Sequence, residues 1–259
     1  MQAPDADQSL VDMAVELATG AGALTRKWFD RRTAVEFDTK ADGTPVTEAD
    51  KAAERYLREQ ITLAFPTDAI IGEEEEDREG TSGRTWIIDP IDGTKSFTHG
   101  VPLYGTLLAV RDEHGPCVGV IVMPALDEVV AAGRGLGCTH NGRECSVNDT
   151  ADMSSSYLMT SGFEFWPDRD TRSRALASDL TIRTWADAYG YVLVATGRAE
   201  AMMDPAGVKV WDIAPMQVII PEAGGTVSDE NGEEWSEGRS FLASNGHVHD
   251  AVLKTVFDK

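Results

Sequence analysis

Two aspartates, Asp89 and Asp92, stand three positions apart where an apolar run ends, and carboxylates at this spacing could hold a metal ion. Ile87 and Ile88 precede them and predict a buried strand that ends at a site. Pro90 is expected to break the strand and turn the chain, so that both carboxylates face one point. The Gly-Thr step that follows suits the start of a helix. The motif therefore predicts a site for a hard cation, with a phosphate group at the helix N-terminus.

Further carboxylates occupy the ends of other predicted elements. Asp50 lies at the start of a helix, Glu73 at the end of a strand and Asp212 at the start of a late helix. The glutamates after Glu73 are expected in a solvated loop. Segments that are far apart in sequence can converge at the ends of elements, where α/β enzymes usually place function. We therefore expect one acidic site built from four segments.

The charge of the chain restricts its partners. The net charge is −21, from 44 acidic and 23 basic residues, which argues against a nucleic-acid-binding protein because a polyanion would be repelled. A phosphate substrate would be repelled as well, unless bound divalent cations neutralise the site locally. Most of the excess acid is expected on the solvated surface.

The composition also indicates a globular enzyme that is not in a membrane. The chain has 259 residues with a hydrophobic fraction of 42%, enough for a substantial core. No apolar run approaches a membrane span, and the first ten residues do not resemble a signal peptide. The three cysteines fit no zinc motif, and reduced thiols in a cytoplasm are expected.

Apolar periodicity predicts alternating helices and strands, an α/β plan in one domain over 1–259, with halves of about 1–150 and 151–259. The helices are predicted at 8–31, 47–64, 170–178, 188–196, 212–223 and 247–257. The strands are predicted at 33–38, 69–72, repeatedly within 85–139, and at 157–160, 181–184, 199–203 and 240–243.

Three motifs together carry a family resemblance. They are Gly72-Glu73-Glu74, Asp89-Pro90-Ile91-Asp92-Gly93-Thr94 and Trp211-Asp212-Ile213-Ala214. Over nearly its whole length the chain resembles the inositol monophosphatase-like, magnesium-dependent phosphatases. The resemblance implies a layered αβαβα sandwich of the sugar-phosphatase type, usually a homodimer. It also implies two to three Mg²⁺ ions per subunit, with Mn²⁺ as a possible substitute, and inhibition by Li⁺.

Carried over residue by residue, the resemblance assigns the metal ligands. The first metal would be held by Glu73, Asp89 and the backbone carbonyl of Ile91. The second would be held by Asp89, Asp92 and Asp212. Mg²⁺ prefers oxygen ligands and keeps several waters, so this small set suffices.

The resemblance also implies roles beside the metals. A third, weaker metal would lie near Glu73 and be approached by Asp50 through water. Thr94 would position the attacking water with Glu73, while Thr47 and Asp50 would hold the water network. The amides of Gly93 and Thr94 would face the phosphate. Direct in-line attack on phosphorus follows, because no Cys or Ser nucleophile motif is present.

Simpler explanations exist for some of these residues. Lys40 lies where the family keeps a basic residue near the metal-bound water, but it could be an ordinary surface lysine. Asp50 could only cap its helix, and Asp212 could be only a helix N-terminal charge.

The substrate is indicated by residues 183–191, which resemble the histidinol-phosphate phosphatase branch of the family. Inositol monophosphatases have small neutral residues where this chain has Asp187. An acid there suits a cation, and L-histidinol phosphate carries an ammonium and an imidazole. Asp187 could instead be the N-cap of a helix. Arg183 could bind substrate or pair with Asp187, and Asp204 matches an acid that contacts substrate in relatives.

The sequence therefore predicts a Mg²⁺-dependent phosphomonoesterase that converts L-histidinol phosphate and water to L-histidinol and phosphate, in histidine biosynthesis. Inositol-1-monophosphatase is the alternative, and fructose-1,6-bisphosphatase or 3′-phosphonucleotide phosphatase is less favoured. The nucleotide phosphatase is opposed by the lack of a basic cluster for a second phosphate. A non-catalytic relative would lack a metal carboxylate, and an acidic cation-buffering protein would show repeated Ca²⁺ loops; neither applies.

Overall fold

A computed structural model describes residues 3–30, 37–39, 45–205 and 207–258. In these residues the helices are α1 (Gln8–Phe29), α2 (Glu48–Ala64), α3 (Thr94–Thr98), α4 (Arg169–Ala177), α5 (Ala188–Ala195), α6 (Val210–Ile213), α7 (Met216–Glu222) and α8 (His249–Val252), and a π-helical turn (Leu253–Phe257) continues α8.

The strands of the same ranges are β1 (Phe37–Thr39), β2 (Pro45–Thr47), β3 (Ala69–Gly72), β4 (Thr85–Asp92), β5 (Gly105–Asp112), β6 (Gly115–Met123), β7 (Glu128–Gly133), β8 (Gly137–His140), β9 (Arg143–Cys145), β10 (Tyr157–Thr160), β11 (Thr181–Arg183), β12 (Ala201–Asp204), β13 (Thr226–Ser228) and β14 (Phe241–Ser244).

Seven strands form the larger sheet, in the order β3-β4-β5-β6-β7-β8-β9. Only β3 and β4 are parallel, and the remaining neighbours are antiparallel. Because β3 and β4 run in the same direction, their carboxyl ends lie at one edge, with Gly72 beside Ile88. The residues after Gly72 and after Ile88 therefore emerge together, which is the edge where Glu73 and Asp89 stand.

The smaller sheet has five strands, in the order β11-β10-β12-β14-β13. Apolar side chains of α5 and α7 fill the space between the two sheets, including Tyr191, Val192 and Ile219. On the outer face of the larger sheet, α1 and α2 bury a second cluster. Val252 and Ala175 of α8 and α4 pack on the outer face of the smaller sheet. The layers are thus α, β, α, β, α, and the predicted sandwich is confirmed.

The predicted break at Pro90 is wrong, because β4 continues through it to Asp92. β3 pairs with β4 only as far as Ile88, so the missing N–H of Pro90 deprives no neighbour on that side. On the other side the pairing with β5 shifts register between Asp89 and Asp92. This irregularity, rather than a turn, directs both carboxylates to one place.

The single helix predicted over 212–223 is also wrong. The chain forms two short helices, α6 and α7, that meet at Ala214 and Pro215. Pro215 cannot donate a helical hydrogen bond, and it is the N-cap residue of the second helix instead. The break gives Asp212 a helix of its own, apart from the helix that packs in the core.

Other expectations have mixed outcomes. The predicted strand over 33–38 lies mostly outside the described residues. The remaining predicted helices and strands are present, with ends shifted by at most two residues. All three cysteines are free. In the described part of the chain, no helix is both long and apolar enough to cross a membrane.

Candidate metal and phosphate site

Three carboxylates from two distant parts of the chain meet at one point. Asp89, Asp92 and Asp212 each offer an oxygen, and these oxygens lie within 4.8 Å of one another. Asp89 and Asp92 come from the end of β4, while Asp212 comes from α6. The spacing suits a shared cation with oxygen ligands.

Backbone hydrogen bonds fix two of these carboxylates. The Ala188 N–H at the start of α5 donates to Asp92 Oδ2 at 2.5 Å. The Lys209 N–H donates to Asp212 Oδ2 at 2.7 Å, which closes the first turn of α6. Asp212 is therefore a helix N-terminal acid as well as a member of the cluster. In both residues one carboxylate oxygen is held by the backbone, and this orients the side chain.

The electrostatics of the cluster are unfavourable for three bare carboxylates. Burial raises the pKa of Asp89 well above its usual range, and the charges of Glu73, Asp92 and Asp212 raise it further. Burial likewise raises the pKa of Asp92, with added repulsion from Asp187 and Asp212. Burial raises the pKa of Asp212 to about 7. Like charges this close need a counter-charge to ionise together.

A cation fits this need. Asp89 Oδ1 is buried and has no hydrogen-bond partner among the described residues. A buried carboxylate oxygen without a donor is costly unless a cation supplies its partner. The donor set consists of hard oxygens only, which favours Mg²⁺, Mn²⁺ or Ca²⁺ over softer metals. The residues present thus fit a bound divalent cation.

Glu73 joins the cluster from the loop that follows β3. It lines the same pocket as the three aspartates, and its charge and a side-chain hydrogen bond both raise the pKa of Asp89. The parallel pairing of β3 with β4 accounts for this meeting, because Gly72 pairs with Ile88, one residue before Asp89.

Asp50 lies behind Glu73 and does cap its helix. Thr47 and Asp50 form a capping box at the start of α2, with the Thr47 N–H donating to Asp50 Oδ2 at 2.8 Å. The capping explanation is thus confirmed for Oδ2. However, Oδ1 is buried without a hydrogen-bond partner in the described residues. Burial raises the pKa of Asp50 to about 6, with a further increase from the charge of Glu73. Asp50 therefore has one oxygen left for a role beside the site.

The cluster opens into a pocket of about 270 Å³. Ile91, Gly93 and Thr94 line it beside the carboxylates. The Thr94 hydroxyl donates to the Ile91 carbonyl at 3.0 Å, so its oxygen keeps its lone pairs for a second partner. Gly93 has a φ of 78° in the left-handed region, and a Cβ there would lie 3.0 Å from the Leu103 carbonyl. Glycine is therefore required where the chain turns from β4 into α3.

Two more acids line the pocket on the side away from β3. They are Asp187, before α5, and Asp204, at the end of β12. The Tyr191 hydroxyl donates to Asp204 Oδ2 at 2.6 Å, and burial raises the pKa of Asp204 to about 7. Burial raises the pKa of Asp187, while Lys95 lowers it.

Asp187 occupies the N-cap position of α5, as the sequence allowed, but without a capping role. Its side chain makes no capping hydrogen bond to α5, and Asp92 takes that place from 95 positions earlier in the chain by bonding Ala188 N–H. The Asp187 Oδ2 atom instead lies 3.3 Å from the position that a Cβ on Gly93 would take. Asp187 is therefore directed into the pocket, toward the loop between β4 and α3.

Arg183 is not where the sequence suggested. It does not line the pocket, and none of the described contacts pairs it with Asp187. Its guanidinium lies 5.9 Å from the Trp185 ring centroid and 6.0 Å from that of Tyr157, on an exposed surface. Stacking on two aromatic rings holds the cation away from the acids. Lys40 lies outside the described residues, so its position beside the site stays a prediction.

The sequence analysis missed some lining residues. Ser161 follows β10, and Phe165 lies in a short turn after it, with 41% of its surface exposed. The Lys95 ammonium lies 4.5 Å from the Phe165 ring centroid. Lys95 could have been noticed because it follows Thr94. Ser161 and Phe165 had no local signal, since only the packing of the two sheets brings β10 to this pocket.

Comparisons with known proteins agree with this architecture. A family model described as the inositol monophosphatase family matches residues 6–258. A histidinol-phosphatase of Chlorobaculum parvum is 43% identical over 250 residues, which are 95% of this chain and 96% of that protein. A histidinol-phosphatase of Mycobacterium tuberculosis is 37% identical, and the match covers 93% of this chain and 95% of that protein. The solved structure of a Thermotoga maritima IMPase has a TM-score of 0.88 and 30% identity, covering 97% of this chain and 98% of that one.

Proposed function

Because this chain belongs to the inositol monophosphatase family, a family of metal-dependent phosphoric monoester hydrolases, we propose that it is a Mg²⁺-dependent histidinol-phosphatase. The main evidence for the substrate is the position of Asp187, whose side chain lies in the pocket and does not cap its helix. The likeness to two proteins named histidinol-phosphatase, at 43% and 37% identity, supports it. The reaction converts L-histidinol phosphate and water to L-histidinol and phosphate.

The two sides of the pocket suit the two ends of this substrate. The phosphate end would lie at the carboxylate cluster, where bound cations offset the acids. The alcohol end carries an ammonium and an imidazole, and it would lie toward Asp187 and Asp204. A carboxylate that binds a cationic group forms a charge-assisted hydrogen bond, which is stronger than a neutral one. A neutral polyol would leave these acids with weaker partners.

The residues of the chain prepare the attacking water. When bound, divalent cations supply Lewis acidity and lower the pKa of water. The Thr94 hydroxyl gives its hydrogen to the Ile91 carbonyl, so Thr94 Oγ1 is left to accept a hydrogen bond from water. The Glu73 carboxylate is a second acceptor and takes the proton as the water attacks phosphorus. Glu73, Asp89, Asp92, Asp212 and the Ile91 carbonyl would hold the cations, and this set suffices for in-line displacement without a covalent intermediate.

Several finer features belong to this proposal. Mg²⁺ is the physiological ion, with two or three per subunit, Mn²⁺ can replace it, and Li⁺ inhibits the enzyme. The protein works as a single-domain subunit of a homodimer in the cytoplasm, within histidine biosynthesis. The family resemblance supports these features, together with the all-oxygen donor set of the cluster.

The first experiment compares phosphate release from L-histidinol phosphate and from inositol-1-phosphate, each with Mg²⁺ and with EDTA. We expect a strong preference for L-histidinol phosphate and loss of both activities in EDTA. A preference for inositol-1-phosphate would keep the metal site but contradict the proposed substrate; the Thermotoga maritima IMPase makes this the natural second candidate. Activity that persists in EDTA would contradict the metal assignment.

Substitution of Asp187 tests the cation-binding side of the pocket directly. Asp187→Asn keeps the size of the side chain, and α5 should be unaffected because Asp92 caps it. Charge-assisted hydrogen bonds contribute about 1.5–3 kcal/mol, so kcat/KM for L-histidinol phosphate should fall roughly 10- to 100-fold. The value for inositol-1-phosphate should change much less. An equal loss with both esters would show that Asp187 has only a structural role.

A further inference from the structure

The loop that carries Glu73 is held by two buried side chains of α2, Glu54 and Arg58. Glu54 is fully buried, and Arg58 exposes 12% of its side chain. Arg58 Nε lies 2.7 Å from Glu54 Oε1, which makes an ion pair between neighbouring turns of the helix. Together with Asp50 they form a stripe at four-residue spacing, so the three residues lie on one face of α2.

This pair binds the loop mainly through its backbone, and Arg58 Nε also lies 3.9 Å from the Glu75 carboxylate. Glu54 accepts hydrogen bonds from the Glu74 N–H at 2.9 Å and the Glu75 N–H at 3.1 Å. Arg58 donates to the Glu75 carbonyl at 2.9 Å and to that of Glu76 at 3.0 Å. Two donors and two acceptors of consecutive peptide groups are thus satisfied by one buried ion pair.

The residue before Glu73 is adapted to the same pair. A Cβ on Gly72 would lie 2.2 Å from Glu54 Oε1 and 2.7 Å from Arg58 Nη2. Position 72 therefore requires glycine, because the Glu54–Arg58 ion pair occupies the space where a side chain would begin. On one side Glu73 follows a strand end that is fixed by pairing with β4, and on the other it precedes a peptide held by Glu54.

We propose that Glu54 and Arg58 are positioning residues that hold Glu73 at the metal site; the inference rests on the proposed function. Glu73 and Asp89 line the same pocket and carry like charges when both are ionised, so an unrestrained loop would move Glu73 outward in the absence of metal. The ion pair opposes this movement. The free-energy cost of holding the two carboxylates close together is therefore offset when the protein folds, and not when the metal binds. A preassembled carboxylate lowers the cost of binding the cation.

The test measures binding of Mn²⁺ alone by titration calorimetry, without substrate. Residues that support metal ligands from behind typically change metal affinity about 10- to 100-fold when substituted. We expect Glu54→Gln to weaken Mn²⁺ binding by about this factor. Arg58→Lys keeps the charge but cannot reach both carbonyls, so we expect a smaller loss of about 3- to 10-fold. The Arg58→Lys variant also keeps the proposal testable if Glu54→Gln does not fold.

The matched control is Asp68→Asn, at the opposite end of the same two strands. Asp68 is fully buried, pairs with Arg84 at 3.1 Å and accepts from the Trp86 indole at 2.9 Å. It is as buried and as well bonded as Glu54, but it precedes the start of β3 instead of following its end. We expect this variant to lose stability while its Mn²⁺ affinity stays within about 2-fold of wild type, since it supports no ligand.

The outcomes separate the two proposals. Unchanged Mn²⁺ affinity in both folded Glu54→Gln and Arg58→Lys would overturn the positioning role. An equal loss in Asp68→Asn would also overturn it, because general destabilisation would then explain the effect. Absence of Mn²⁺ binding by the wild-type protein would overturn the metal site of the proposed function itself. A wrong substrate assignment would leave the calorimetry unaffected.

Discussion

Asp92 serves two purposes, and this makes it the most informative single residue. Oδ2 accepts the Ala188 N–H and so caps α5, the helix that carries Tyr191 into the core between the sheets. The carboxylate also belongs to the three-aspartate cluster. The residue therefore joins the fold of the second half of the chain to the site at the end of β4. A substitution has to separate the two roles to be interpretable.

Asp92→Asn makes this separation, because an amide oxygen can still accept the Ala188 N–H. We expect turnover to fall by at least about 100-fold, the typical loss when one preorganised electrostatic group is removed. The unfolding temperature of the metal-free protein should not fall, since the substitution also removes a buried charge. Steady-state kinetics and a thermal melt in EDTA are the measurements. Near-normal turnover would remove Asp92 from the metal site.

At the scale of elements, the sequence was informative about single strands and helices. It was less informative about how these elements pack against one another. Local patterns predicted β3, α2 and the acidic ends of both, because apolar periodicity and capping act within a few residues. They failed at Pro90, where β3 ends early enough for the strand to tolerate proline. They also left a capping role open for Asp187, but Asp92 from far along the chain bonds the first N–H of α5 instead.

Residues that support the site were overlooked for a related reason. Glu54 and Arg58 look like an ordinary surface ion pair at four-residue spacing, and only burial under the loop after β3 reveals their role. Their position on the same helix face as Asp50 was a usable signal, because that face also carries the buried Ala53 and Leu57. Charged residues on the apolar face of a helix seldom lack a partner.

The placement of Asp212 depends on a close contact between elements. A Cβ on Gly119, in the middle of β6, would lie 2.4 Å from the Pro215 carbonyl oxygen, at the junction of α6 and α7. Gly119→Ala should therefore push α6 away from the sheet, with a cost of about 1–3 kcal/mol. We expect lower Mn²⁺ affinity as well as a lower unfolding temperature, measured by calorimetry and thermal melts.

Gly133→Ala is the matched control in the neighbouring strand. There a Cβ would first meet the side-chain ends of Val11 at 2.7 Å and Leu136 at 2.9 Å, which can move, and neither lies in the pocket. This variant should lose some stability but keep its Mn²⁺ affinity. If both variants lose Mn²⁺ affinity equally, the contact with Pro215 does not position Asp212.

For the whole molecule, the acidic cluster couples stability to pH and metal. The pKa of Asp50 is raised to about 6 and that of Asp204 to about 7, so the metal-free folded protein holds protons that the unfolded chain releases near pH 4. Stability contributed by these protonated groups is present at low pH and is lost as pH rises through their folded pKa values. The net charge of −21 adds self-repulsion in the same direction.

A bound divalent cation should reverse this trend, because it needs the same carboxylates in their ionised form. At pH 7.5 a saturating metal at about 100 times its Kd contributes about 2.7 kcal/mol, which corresponds to roughly 5–10 °C in unfolding temperature. At pH 5 protons compete for the oxygens, so the difference between Mg²⁺ and EDTA should shrink to a few degrees at most. Thermal melts of the wild type and of Asp92→Asn measure this difference in unfolding temperature. Asp68→Asn is the control, in which the metal-dependent shift should persist. An equal metal effect at both pH values would mean that the stabilising cation binds outside this cluster.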